Sequence, residues 1–263
     1  GTLSMALPFF WMISTSLKSY SSVFIFNISK IQWIPHPIYW KNYIDVWRVV
    51  PFAWFYFNSL FVCIAVTLAQ VATSAFAAYS FSRLKFPGRE KIFFSYIATM
   101  MIPGSVTLIP VFVLMRLFGW IDTYKALIIP AAFSAYGTFM LRQFFMTIPR
   151  DLEDAAKIDG CNYLGIFCKV ILPLSKTALA TLTVFVALGN WVSFMWPLLV
   201  TNSLEKRTLP VGLAYFQEMY QYAQPDWGLL MAGSLVTMVP VIIIFLFSQK
   251  FFVEGIKLTG MKG

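Results

Sequence analysis

Long stretches without a single charged side chain constrain this sequence more than any other feature. Charged residues divide the 263-residue chain into six uncharged windows: Gly1–Leu17, Val49–Ser82, Ile92–Met115, Ala126–Leu141, Thr177–Leu204 and Trp227–Gln249. A helix that crosses a bilayer takes about 20 mostly apolar residues, within a range of about 17–25. Five windows meet that length or nearly so. The window from Ala126 has 16 residues, and Arg142 extends it by about a turn if its long stem snorkels to the interface. Buried helices of one large soluble protein would be shorter, with charged surface helices between them. Composition agrees, with 59% hydrophobic and 12% charged residues, where soluble domains run near half and a quarter. A soluble enzyme is excluded on that ground, and so is intrinsic disorder, which requires little apolar surface. The expected architecture is an all-α polytopic membrane protein of one domain, 1–263. Its six transmembrane helices are expected at about 1–17, 52–82, 92–115, 126–145, 177–200 and 227–250.

A net charge of +9 invites a nucleic-acid reading, but the placement of the charges decides otherwise. Lys and Arg mark the cytoplasmic loops of membrane proteins. Arg83–Lys91, Arg142–Lys176 and Lys250–Gly263 carry 12 of the 20 basic residues in fewer positions than the opposite set of loops. The first set is therefore expected to be cytoplasmic, together with both termini, and the basic excess is orienting charge. Gly1–Leu17 follows no Met and no basic stretch, so it reads as a first span and not as a complete signal peptide. Cys63 lies in a span and Cys161 and Cys168 in a cytoplasmic loop. They have no metal-ligand spacing and read as reduced, small buried hydrophobes.

The chemistry of a self-sufficient pump is missing. The single histidine, His36, sits between Pro35 and Pro37 in an outside loop, and no phosphate-binding G-x-x-x-x-G-K-[ST] occurs. The spans hold no Asp or Glu to relay protons, and their polar residues are weak ones such as Asn58, Gln70, Asn190 and Gln249. Energy for uphill movement is expected to enter from another subunit.

The loop 142–176 is the organised polar part of the chain. Asp151 after Pro149 is expected to N-cap a helix, with Asp154 completing a capping-box-like pair. The acids at 151, 153 and 154 suit the positive helix end. Leu152, Ala155 and Ala156 are placed on one face, and Gly160 is expected to stop the helix in a left-handed conformation. Asn162 then caps a second helix, Tyr163–Ile171, that stops near Pro173. A loop of this pattern also suits a helix lying on the inner membrane face.

The spacing within this loop carries a resemblance. Asp154-Ala155-Ala156, then Gly160 after three residues, then Val170-Ile171-Leu172-Pro173 after nine more, resembles the E-A-A-x3-G-x9-I-x-L-P signature. That signature marks the membrane subunits of ATP-binding-cassette importers. Asp154 stands for its Glu and Val170 for its Ile, with Glu153 keeping an acid next door. Asn58-Ser59-Leu60, the run from Ala77 to Arg89, Phe139–Phe145, Thr208–Leu213 and Phe252–Gly255 through Lys262-Gly263 extend the likeness. Together they resemble the smaller of two paired permeases in the maltose/oligosaccharide-type carbohydrate importers. The resemblance implies a type I importer permease fold in the bacterial inner membrane. It also implies a second homologous permease, two ATPase subunits (or an ATPase homodimer) that hold the ATP and Mg, and a periplasmic or lipid-anchored solute-binding protein. A cofactor or metal in this chain is not expected, and neither is catalysis. It further implies that the 151–160 helix is the coupling helix, with Leu152, Glu153, Asp154, Ala155, Ala156, Asp159 and Gly160 facing an ATPase. The solute is expected to be a di- or oligosaccharide, the alternative being a polyol or glycerol phosphate. An ion-coupled carrier is disfavoured by the acid-free spans.

Pro103, Pro110, Pro197 and Pro240 can kink their helices, for gating or for packing alone. Asn190 and Trp191 combine an amide and a ring in the fifth span and are the candidates for the substrate path. Interhelical packing and interface anchoring explain the same residues. The outside loop 201–226, with Glu205, Lys206 and Arg207, is the candidate for docking the binding protein, and the segment around Trp40–Arg48 is a second.

Overall fold

A computed structural model describes residues 1–20, 33–219 and 226–260, and every regular element among them is helical. In chain order these are α1 (Thr2–Ser16), α2 (Asn42–Val49), α3 (Phe52–Arg83), α4 (Arg89–Met101), α5 (Gly104–Leu117), α6 (Tyr124–Ile128) and α7 (Ala135–Thr147). They continue as α8 (Asp151–Ile158), α9 (Tyr163–Leu174), α10 (Lys176–Trp191), α11 (Met195–Val200), α12 (Leu209–Met219) and α13 (Trp227–Gly260). Residues 220–225 of the loop expected to lie outside, and Lys262-Gly263, are not among the described residues.

Two helices are long and apolar enough to cross a membrane unbroken, α3 and the stretch Trp227–Gln249 of α13. The third window forms a bent pair, α4 with α5 at 101°, and α10 of the fifth window is bent by 79° from α9, which precedes that window, so that up to four spans are present among the described residues. Of the six expected spans, two to four are seen among the described residues. The first bend has a local cause. Ile102 precedes Pro103, which forces it out of the helical region, and Pro103 then caps α5. Pro110 and Pro240, in contrast, lie inside continuous helices.

The window from Ala126 breaks into α6, a 3₁₀ turn at Pro130–Ala132 and α7. Phe133 is extended, and Ser134 accepts a hydrogen bond from the Gly137 N–H at 3.0 Å, so a new helix starts there. The window from Thr177 ends its first helix at Trp191. Pro197 withholds the N–H that the Ser193 carbonyl would take, and the helix resumes only at Met195. At 15 residues, α1 is about 22 Å long, short of a hydrocarbon core of about 30 Å. Arg142 does not snorkel. It is buried, pairs with Glu90 at 3.1 Å and stacks on Phe93 at 3.9 Å. Cys63 is buried as expected, but Cys168 is exposed.

The chain divides into two compact units, Gly1–Phe61 with Val192–Ile243, and Val62–Trp191 with Ile244–Gly263. In the first, α2 closes on the end of α1, where the Asn42 amide donates to the Ser16 and Lys18 carbonyls at 2.8 and 2.9 Å. Trp47 packs edge-on against Phe52 with ring centres 5.0 Å apart. Phe55 is wholly buried, and a Cβ built on Gly212 would overlap its ring, with Cε2 and Cγ at 2.6 Å. Only glycine lets α12 approach α3 so closely. Gly212→Ala is expected to destabilise the chain by about 1–3 kcal/mol, because a buried ring has nowhere to go. A lowered Tm of the purified protein in detergent checks this, and an unchanged Tm contradicts it.

In the second unit α3, α7 and α10 pack through small residues, with Gly137 set against Ser74 and Leu182. Leu68, Ile109 and Phe247 stand mostly exposed. Surfaces of this kind are stable against lipid or another apolar subunit, not against water.

Candidate functional site

The loop 142–176, singled out by its spacing, folds into a helix–turn–helix fixed at both ends. The first helix, α8, starts without a side-chain cap. Its N-cap is Arg150, not Asp151, and the Arg150 carbonyl accepts the N–H groups of Glu153 and Asp154 at 2.9 and 3.0 Å. The expected capping box is therefore absent. Asp151, Glu153 and Asp154 occupy the first turn, where they favour the positive helix end without capping it.

Asp154 turns outward and accepts from Lys157 at 2.7 Å. That hydrogen bond holds its carboxyl below the ordinary value, although an exposed pair of this kind stabilises little.

Glu153 turns inward and is the acid the fold uses. Its carboxylate meets the Arg83 guanidinium at 2.9 Å, with side-chain exposures of 9% and 3%. Arg83 is the last residue of α3. Its Nη2 also donates to the Ile148 carbonyl at 2.7 Å and to the Phe145 carbonyl. One buried cation thus ties the end of α3 to the end of α7 and to α8. Charge-assisted bonds of this type are the strong ones. Sequence spacing did not show Arg83 as part of the site, because its partner is 70 positions away.

The C-terminal end of α8 behaves as its glycine predicts. Gly160 has φ +80°, its N–H donates to Lys157 at 3.0 Å, and the Cys161 N–H donates to Ala156 at 2.9 Å. This 5→2 and 6→1 pair is the Schellman arrangement. Asn162 then caps α9 by accepting from the Gly165 N–H at 2.8 Å. The second helix is anchored from α3, where the Tyr79 hydroxyl donates to the Tyr163 carbonyl at 3.0 Å and Phe76 and Tyr79 flank the Phe167 ring. It runs on past Ile171 through a π turn at Phe167–Ile171 and ends at Leu174, beside Pro173 where its stop is expected. Pro173 removes the N–H that the Lys169 carbonyl would accept, and the ladder loosens one turn earlier.

The faces differ from the expected set. Ala156 points inward with Glu153, while Leu152 and Ala155 point out. Ile158, absent from the sequence candidates, is 87% exposed. Tyr163 and Leu164 at the start of α9 are exposed as well. Asp159 ends α8, and both it and Gly160 are exposed. The outward side of α8 is therefore mixed, with Leu152, Ala155 and Ile158 standing beside Asp154 and Lys157 on a helix anchored from behind by Glu153. A polar cavity of about 390 Å³ lies beside it, lined by Arg83, Lys85, Arg150, Glu153 and Lys157 among others.

The remaining candidates lie elsewhere. Asn190 spends an amide hydrogen on the Val186 carbonyl of its own helix at 2.9 Å, and Trp191 is buried at the end of α10. Glu205 and Lys206 form a 3₁₀ turn, Leu204–Lys206, and the Arg207 guanidinium lies 4.5 Å over the Tyr215 ring. No cluster of potential metal ligands occurs among the described residues.

Residues 2–258 match the family described as binding-protein-dependent transport system inner membrane component. The arabinooligosaccharides transport system permease protein AraQ of Bacillus subtilis (strain 168) is 34% identical over 100% of this chain and 92% of its own length. The sn-glycerol-3-phosphate transport system permease protein UgpE of Yersinia enterocolitica is 33% identical over 85% and 81%. A crystal structure of a bacterial ABC transporter involved in import of the acidic polysaccharide alginate contains a chain with the same fold. It aligns with a TM-score of 0.85 and 27% identity, covering 95% of this chain and 92% of that one. A second alginate transporter chain, solved in complex with a pentasaccharide-bound periplasmic protein, shares the fold at a TM-score of 0.62 and 15% identity. With α8 and its signature spacing in place, the chain belongs to the family of binding-protein-dependent transport system inner membrane components, the permeases of ATP-binding-cassette importers.

Proposed function

We propose that this chain is the smaller of two paired permease subunits in an ATP-driven bacterial importer for a carbohydrate, a di- or oligosaccharide. Relatives named for arabinooligosaccharide and alginate transport support the solute class. A glycerol phosphate solute is the second reading, favoured by the UgpE relatives. The full chain acts as one permease domain in the inner membrane with both termini cytoplasmic. On this reading α1 and the α6–α7 pair complete six crossings together with α3, α4–α5, α10–α11 and α13. ATP and Mg are held by two ATPase subunits, and this chain performs no catalysis. The solute arrives from a binding protein docked at Glu205–Arg207, and Asn190 and Trp191 mark the substrate path where α10 ends.

The observation that carries the reading is the outward face of α8. Leu152 and Ile158 stand exposed on a helix whose inner face is locked by Glu153 and Arg83. A helix fixed from behind, with Leu152 and Ile158 exposed among charged neighbours, is built to be pushed by a partner. Closure of the ATPases on ATP would move α8 as a rigid body and rock the spans between inward- and outward-open states.

Ile158→Asp tests this directly, because an unpaired carboxylate in an apolar contact costs several kcal/mol. Co-purification of the cassette ATPases with the membrane subunits is expected to fall by more than about tenfold, while the variant still inserts. Full retention of the ATPases by this variant would remove α8 from the interface.

A further inference from the structure

Asn58 is a polar residue within a long apolar helix, and it is wholly buried. Its side-chain amide donates two hydrogen bonds, to the Glu205 carbonyl at 2.8 Å and the Arg207 carbonyl at 2.9 Å. The next residue completes the contact: Ser59 Oγ accepts the N–H of Leu209, the first residue of α12, at 2.8 Å. Beside them Phe55 lies against Gly212. The 3₁₀ turn Leu204–Lys206 is thus gripped at the backbone from below, while its Glu205 side chain faces outward. Buried amides are costly unless both hydrogens are used. Here both are spent on one short turn instead of on the helix that carries them.

We propose that Asn58 and Ser59 are positioning residues that hold the Leu204–Arg207 turn in its docking conformation, so that the solute-loaded binding protein meets a preformed edge. The proposal rests on the docking reading of Glu205–Arg207 given above. Order built in beforehand is order that need not be imposed at binding, so the clamp raises affinity without touching the partner. It acts through the main chain and does not engage the outward Glu205 side chain.

The test uses the whole importer in proteoliposomes, with ATP hydrolysis measured against concentration of solute-loaded binding protein. Asn58→Leu and Asn58→Asp keep the shape of the side chain but remove both donors. Each is expected to raise the half-saturating concentration about tenfold or more, leaving hydrolysis at saturation and without binding protein unchanged. Asn58→Asp should be at least as damaging, because it sets a carboxylate against two carbonyl oxygens. Ser59→Ala, a smaller change that keeps the helix, should shift half-saturation in the same direction and speed hydrogen exchange at the Leu209 amide. A fall in maximal hydrolysis with unchanged half-saturation would show a structural role only and overturn the proposal. Glu205→Lys and Lys206→Glu separate the two ideas. If these shift half-saturation and the Asn58 variants do not, the clamp is wrong and the docking surface stands. If neither set shifts it, the docking reading fails and takes the clamp with it.

Discussion

Arg83→Met is expected to abolish coupled uptake while leaving the permease inserted in the membrane. The guanidinium neutralises Glu153 and donates to the Phe145 and Ile148 carbonyls from a position that is almost fully enclosed. Methionine fills most of the volume but supplies neither charge nor donors. A buried carboxylate is then left without its partner, a loss of about 3–5 kcal/mol when one member of such a pair is removed. The cost falls on the joint between α3, α7 and α8 and not on the spans, so the expected failure is local: α8 swings away from the end of α3. At 1.4 kcal/mol per decade this is a drop of about 100-fold or more in the fraction of molecules with α8 seated.

Uptake of labelled solute into proteoliposomes should fall accordingly, with ATP hydrolysis persisting at a basal rate that no longer responds to binding protein. Glu153→Leu combined with Arg83→Met removes both charges together, and apolar replacement of a whole buried pair is often neutral. The double variant is therefore expected to regain part of the uptake that either single variant loses. Wild-type uptake by Arg83→Met would show that the joint carries no force. Equal losses in single and double variants would show that the side chains matter for something other than each other.

Part of this site was legible in one dimension. The absence of charge placed α3 and the start of α13 to within a residue or two, because only bilayer-length apolar helices explain such windows. Gly160 and Asn162 were legible because a left-handed stop and an N-cap are local demands that a single residue type meets. Hydropathy does not register where a helix must end. The windows from Ala126 and Thr177 are uncharged throughout, yet Pro130 with Ser134 divides one and Pro197 divides the other.

The helical phase of α8 was not legible either. Glu153 and Asp154 are neighbours of like charge, and which of them turns inward depends on a cation 70 residues earlier. Asn58 gave a weak signal for the same reason. An amide in an apolar run shows that some partner exists, but the partner is a pair of main-chain carbonyls nearly 150 positions away.

Gly160→Val is expected to uncouple hydrolysis from transport through the backbone alone. Beyond the adjacent residues of the chain, no atom lies within 4 Å of a Cβ built on Gly160, so crowding by the rest of the fold contributes nothing. The cost is conformational: φ is +80°, a region that disfavours any L residue by about 1–2 kcal/mol and a β-branched one further. Valine would relax toward negative φ. That movement breaks the Gly160–Lys157 and Cys161–Ala156 hydrogen bonds and redirects the chain before the Asn162 cap. α8 would keep its anchor on Arg83, and α9 its anchors on Tyr79 and Phe76, but the angle between the two helices would no longer be fixed. A lever with a free joint accepts the stroke of the ATPase and transmits little of it. Solute moved per ATP hydrolysed should fall about tenfold, with assembly and hydrolysis preserved. Gly160→Asn, which tolerates the left-handed region, should stay close to wild type, with Gly160→Ala between the two. That ordering separates a backbone effect from a loss of side-chain space, and an unchanged transport-to-hydrolysis ratio in Gly160→Val would rule out a rigid turn as the source of coupling.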